Sequence, residues 1–218
     1  MKKLIALIMS LACLSSLTFA MEAPVEGTGE EPVVTTLADA APELRAKALE
    51  DLAAISSRAN DGIQPASTAS ALDEENILIM DYGMTEEDGY QVETILYVDK
   101  TRADSGVVGG GSTHWYYRAG QNVFNVYESS FFSYNGTQVT ADLSRQDCWC
   151  SSGSVNFSVL CIYNNKNGNA YSQYGANDWV VAYRYDASMT GISVSGKEIT
   201  IACSPTGSVE TEDLSFRY

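Results

Sequence analysis

From residue 77 onward, apolar and polar residues alternate with a period of two, and this pattern narrows the fold more than any other feature. Val155, Phe157, Val159, Cys161 and Tyr163 alternate with Asn156, Ser158 and Leu160, and Ile199, Ile201 and Cys203 follow the same phase. Successive side chains of a strand point to opposite faces, so such runs read as half-buried strands. The pattern predicts strands at 77–82, 90–98, 114–119, 123–134, 139–143, 155–164, 179–185, 192–194, 197–202 and 214–218. Asn135-Gly136, Asn167-Gly168, Thr190-Gly191 and Ser195-Gly196 mark turns between them. Many short strands with no helical period between them predict an all-β domain over 76–218. An antiparallel β-sandwich, Ig-like or jelly-roll-like, is preferred to a barrel.

The first 75 residues differ. Met1-Lys2-Lys3, an apolar stretch over 4–19, and small residues at Thr18 and Ala20 have the layout of a signal peptide over 1–20. Its loss removes Lys2 and Lys3 and takes the net charge from −15 to −17. So acidic a chain is repelled by phosphate backbones and anionic lipid, which argues against nucleic acid and, after leader cleavage, against a membrane as partners. Residues 21–72 contain no Phe, Trp or Tyr, and a segment that can bury so little apolar surface is expected to be a mostly disordered tether or pro-segment over 21–75. One helix is predicted within it at about 42–58. Leu44, Ala48, Leu52 and Ile55 share one face, Pro42 suits the first turn, Asn60-Asp61-Gly62 marks the stop, and Glu43 and Lys47 are spaced for an i,i+4 pair. This helix could be a strut, a cover on the β-domain, or part of a pro-segment.

Export sets how the cysteines read. Cys13 leaves with the leader, and Cys148, Cys150, Cys161 and Cys203 remain as candidates for two disulfides. Cys161 and Cys203 fall on the apolar phase of their strands, so a Cys161–Cys203 bond is the first expectation. Cys148 and Cys150 then pair internally, stay free, or each take a distant partner. No cofactor or metal is expected. Cys148-Trp149-Cys150 lacks the C-x-x-C spacing of zinc and redox sites, and 164–169 lacks the carboxylates of a calcium loop. Residues 107–112, with three consecutive glycines, read as a flexible loop rather than a phosphate cradle, since no helix follows. His114 is the chain's one histidine, and a Cys–His or Ser–His reaction would have to use it. No carboxylate pair stands out for glycan hydrolysis.

The aromatic residues favour binding. Trp115, Tyr116 and Tyr117 are consecutive, so a strand must turn at least one of them outward, and Trp179, Tyr183 and Tyr185 share a phase. Trp115, Tyr117, Trp179 and Tyr183 are therefore the candidate binding residues, since exposed rings stack on sugars or anchor protein partners.

A Trp-containing strand, then Phe132-Ser133-Tyr134-Asn135-Gly136-Thr137, Gly168-Asn169-Ala170, Ile201-Ala202-Cys203 and Gly207, resembles small secreted β-rich proteins of Gram-positive bacteria, a group without an assigned activity. The resemblance covers about residues 115–209 and implies secretion and a β fold. The expectation is a secreted, extracellular protein, free or associated with the cell surface, whose β-domain binds a protein or glycan without catalysis. The alternative is a secreted hydrolase acting on glycan or peptide.

Overall fold

The computed structural model describes residues 33–59, 73–87 and 89–211. The expected leader, the helix stop at 60–62 and the strand at 214–218 lie outside them. The elements are β1 (Val33–Thr36), α1 (Pro42–Ala59), β2 (Ile77–Glu87), β3 (Tyr90–Asp99), β4 (Val107–Arg118), β5 (Gln121–Tyr134), β6 (Val139–Ala141), β7 (Asp147–Cys150), β8 (Asn156–Lys166), β9 (Trp179–Met189), β10 (Ile192–Cys203) and β11 (Val209–Thr211).

All strand pairs are antiparallel, and they form two sheets. One runs β1-β2-β3-β4-β5, with β6 and β7 end to end along the far edge of β5; the other runs β8-β9-β10-β11. Apart from β7, which pairs with β5, neighbours in space are neighbours in sequence, so each sheet is a meander, without the Greek-key return of immunoglobulin-like and jelly-roll domains. Among the described residues the chain changes sheet between β7 and β8.

The sandwich core lies between the sheets in two apolar clusters. One is built around Val92, Tyr116, Phe124, Val126, Tyr185, Val194 and Ile199, the other around Leu96, Val98, Val108, Phe132, Val181, Ile201 and Cys203. α1 forms a third layer on the outer face of the seven-stranded sheet. There Ala48 and Leu52 pack with Ile79, Ile95, Tyr97, Trp115 and Tyr117. The central strand β3 is consequently buried on both faces from Val92 to Val98.

Several expectations are corrected by physical detail. One is met: the helix expected at about 42–58 is α1, and its apolar stripe covers the large sheet, while β1 adds to the edge of β2. Lys47 turns from Glu43 to Glu93 on β3. The triple glycine is strand, not flexible loop. A Cβ on Gly110 would meet Val209 and Ile201 at 3.0 and 3.1 Å, and one on Gly111 would meet Ile55 Cδ1 at 2.7 Å. The glycines thus let the second sheet and α1 approach β4 from opposite sides. The strands expected at 192–194 and 197–202 are one strand interrupted by a bulge, where Asp186 Oδ1 accepts from Ser195 Oγ at 2.6 Å and Gly196 N at 2.7 Å.

The four cysteines are unpaired. Cys161 lies opposite Tyr183 and Cys203 opposite Trp179, on either side of β9. Cys203 is buried in the core, but Cys161, though paired with the core-side Tyr183, is exposed on the edge strand β8. Four residues of strand set them about 13 Å apart along β9, and a disulfide tolerates only about 7 Å between Cα atoms. Register therefore defeats the expected Cys161–Cys203 bond.

Candidate functional site

β4 and β3 place Trp115, Tyr117 and Glu93 side by side on the outer face of the large sheet. Trp115 sits directly across from Glu93, and Tyr117 is two residues further along the same strand. The indole and phenol stack, with centroids 6.3 Å apart and planes 19° from parallel. The Tyr117 hydroxyl donates to Glu93 Oε2 at 2.7 Å. These three side chains make a wall with two π-faces and a carboxylate.

Lys47 of α1 fills it. Its Nζ stands 5.6 Å from both ring centroids and donates to Glu93 Oε1 and Oε2 at 2.8 and 2.6 Å. An ammonium within about 6 Å of an aromatic centroid is attracted by the ring quadrupole, more strongly when partly desolvated. The Glu93 side chain is only 8% exposed and that of Lys47 30%, so the pair is shielded from solvent screening on the carboxylate side. Burial and the Glu93 carboxylate together push the Tyr117 phenol well above its ordinary range, so it stays a donor.

One turn along α1, Asp51 is fully buried. Its Oδ2 accepts from the Tyr97 hydroxyl and from Trp115 Nε1, the latter at 3.0 Å. Burial outweighs these bonds and raises the carboxyl to about 6. At the C-terminal end, the Arg58 guanidinium lies 5.6 Å from the Trp149 centroid, and Trp149 stacks on Tyr127. At the N-terminal end, Arg45 pairs with Glu74 at 2.6 Å. The helix thus carries three basic side chains, Lys47 and Arg58 against rings of the sheet and Arg45 against the turn before β2.

Of the four candidate residues, Trp115 and Tyr117 come together here. They face outward from the sandwich, yet they are only 6% and 8% exposed because α1 covers them. Trp179 and Tyr183 stand elsewhere, half-buried on the inner side of β9. Trp179 Nε1 donates to Asn164 Oδ1 at 2.8 Å. The four rings therefore do not form one surface. Glu93, Lys47 and Asp51 escaped the sequence reading. Asp51 lies three residues from Ala48 and four from Ile55, on the covered face of the helix, and that spacing is the signal that could have found it.

The histidine, the thiols and Glu128 lie apart from this face. His114 is fully buried between the sheets, with Nδ1 2.9 Å from the Tyr185 hydroxyl. Glu128 is also fully buried, neither carboxyl oxygen has a hydrogen-bond partner among the described residues, and burial raises it well above the ordinary carboxylate range. Burial likewise pushes up the thiols of Cys148, Cys150 and Cys161, and that of Cys203 to about 12. Comparison with protein-family models, with curated proteins and with solved structures finds no match for the chain.

Proposed function

We propose that the chain is an exported, non-catalytic binding protein. Its recognition surface is the aromatic outer face of the seven-stranded sheet, and segment 33–59 is the resident occupant of that face. One observation carries this reading. The two apolar clusters between the sheets contain no residue before Ile77, whereas α1 packs in a separate cluster on the far side of the large sheet. The sandwich core is closed without the helix, so the helix behaves as something bound to a finished domain. The hydrolase alternative is less well supported, because nucleophilic thiols need depressed pKa values and these are raised. Export rests on the leader-like start of the sequence and agrees with the likeness to secreted Gram-positive proteins. An extracellular protein or glycan is the class of partner expected.

Hydrogen exchange on the full chain tests the occupant reading. Amides of 42–59 should exchange through an opening of lower free energy than those of β4, β5, β9 and β10. If all of them exchange only with global unfolding, α1 is an integral layer and the reading fails. Mass spectrometry of the protein recovered from culture medium tests export, and a mature species starting near Met21 is expected. Retention inside the cell with residues 1–20 attached would overturn it.

A further inference from the structure

The contacts of Lys47 identify the chemistry that this face recognises. A lysine on an exposed helix ordinarily keeps its ammonium in water, where three donors are satisfied at no cost. Lys47 instead gives up most of that exposure to sit against two aromatic rings and both oxygens of a carboxylate that is itself over nine-tenths buried. The receiving side belongs wholly to the sandwich: Trp115 and Tyr117 come from β4, and Glu93 from β3. Tyr117 braces Glu93 through its hydroxyl, whereas the indole N–H of Trp115 donates to Asp51, a second contact that α1 itself supplies alongside Lys47. Ring, ring and carboxylate converge on one point, and a single cationic nitrogen occupies it.

We propose that Trp115, Tyr117 and Glu93 form a cage for a primary ammonium group, filled in cis by Lys47. The ligand it takes when α1 is off the face is a lysine carried on an amphipathic helix of a partner protein. This rests on the reading of 33–59 as an occupant, and α1 serves as the template for the ligand: a helix with a small-and-apolar stripe, Ala48 and Leu52, and a lysine one position before it. The acidity of the surroundings selects the sign of the charge. Asp81 also lies near enough to act on Glu93 electrostatically, and its own carboxyl is raised, by burial first. The two hydrogen bonds from Nζ to Glu93 select a primary ammonium over a quaternary one, which has no proton to donate.

The test uses the full-length chain with Lys47→Ala, which vacates the cage while keeping a strong helix former at the position. Millimolar n-butylammonium, a lysine side chain without its backbone, is added, and unfolding is followed by tryptophan fluorescence. A saturable rise in melting temperature of about 2–4 °C is expected for Lys47→Ala. No such rise is expected with n-butanol, a smaller one with tetramethylammonium, and none with butylammonium in the wild type or in Lys47→Ala/Glu93→Gln. Absence of the rise in Lys47→Ala, or an equal rise in all three proteins, overturns the cage. Should Lys47→Ala not fold, Lys47→Gln retains the methylene stem, and its effect on melting temperature should be non-additive with that of Glu93→Gln. Additive effects would then overturn the cage. Amine rescue can succeed with α1 shown to be integral, and the exchange result can hold with no rescue, so the two ideas fail separately.

Discussion

Asp51 makes the attachment of α1 dependent on pH, and the sign follows from its environment. Its carboxyl releases a proton at about 6 in the fold, against an ordinary value of 3.8, because burial disfavours the charged form. The folded state therefore binds the proton more tightly than the unfolded chain does. The contribution to stability is full below about pH 3.8. It falls by about 1.4 kcal/mol per pH unit as pH rises toward 6, and is lost above that, for a total of about 3 kcal/mol. Because Asp51 is fully buried, solvent screening takes little from this figure. Asp51→Asn keeps an oxygen to accept from Tyr97 and Trp115 and abolishes the titration. Urea unfolding of both proteins between pH 4 and pH 7.5, followed by tryptophan fluorescence, reads the effect as a difference. Glu128, Asp81 and Glu210 are also raised, and their contributions, with the same sign, cancel in the comparison. The stability of wild type relative to Asp51→Asn should drop by about 2.4 kcal/mol across the range, the first part of the loss falling below pH 4. Hydrogen exchange should place the loss in residues 42–59 first. Parallel pH curves for the two proteins would refute the argument that the carboxylate is desolvated under the helix.

Glu128→Gln removes a buried acid that has no hydrogen-bond partner among the described residues and whose neutral form the fold favours. It should stabilise the protein at neutral pH, with a gain over wild type that grows by about 1.4 kcal/mol per pH unit above the ordinary carboxylate range, measured by the same urea titrations. Gly111→Val and Gly110→Val should act on different layers, because their new methyls point at Ile55 of α1 and at Ile201 and Val209 of the second sheet, respectively. The first should loosen α1 in hydrogen exchange and leave β9 and β10 protected. The second should lower global stability by about 1–3 kcal/mol. Under a disulfide oxidant, peptide mapping should find Cys148 linked to Cys161. β7 and β8 pack together, the Gln146–Asn164 side-chain bond of 2.6 Å pins their relative position, and Cys161 is among the groups acting on the Cys148 thiol. A Cys161–Cys203 peptide would contradict the register across β9.

The period-two pattern carried the architecture because it reports a local fact, which side of a strand a residue faces, and β9 and β10 obey it. It is blind to what arrives on the other side. Gly109-Gly110-Gly111 reads as loop when β4 is considered alone, since only contact from both neighbouring layers makes a side chain impossible there. The bulge between Cys161 and Tyr163 leaves Cys161 opposite Tyr183 and moves Tyr163 outward to pack on Tyr171, and no composition signal marks it. Asp51 and Glu128 are ordinary acids in the sequence, and their burial is decided by partners tens of residues away.

Trp115 and Tyr117 show what a strand pattern reveals of a sheet face and what it leaves out. Consecutive aromatics on a strand must place some rings outward, and from that the sequence reading expects exposed binding rings. The rings do face outward, but exposure was the wrong criterion, because the same chain supplies a helix that covers them. Leu44, Ala48, Leu52 and Ile55 mark an apolar helix face for which a cover on the β-domain is one role, and Trp115 and Tyr117 mark rings on the outer face of a strand. Each half was legible separately. The step joining them is electrostatic: Lys47 and Glu93 lie 46 residues apart, beyond the reach of any local pattern. A lone lysine on a helix carries no mark that its charge belongs in a cage. Aromatic strand residues beside an acid, in a chain that also holds a short basic-studded amphipathic helix, form a combined signal that a reading element by element does not assemble. The charge and ring contacts of this face therefore emerge only when helix and sheet are considered together.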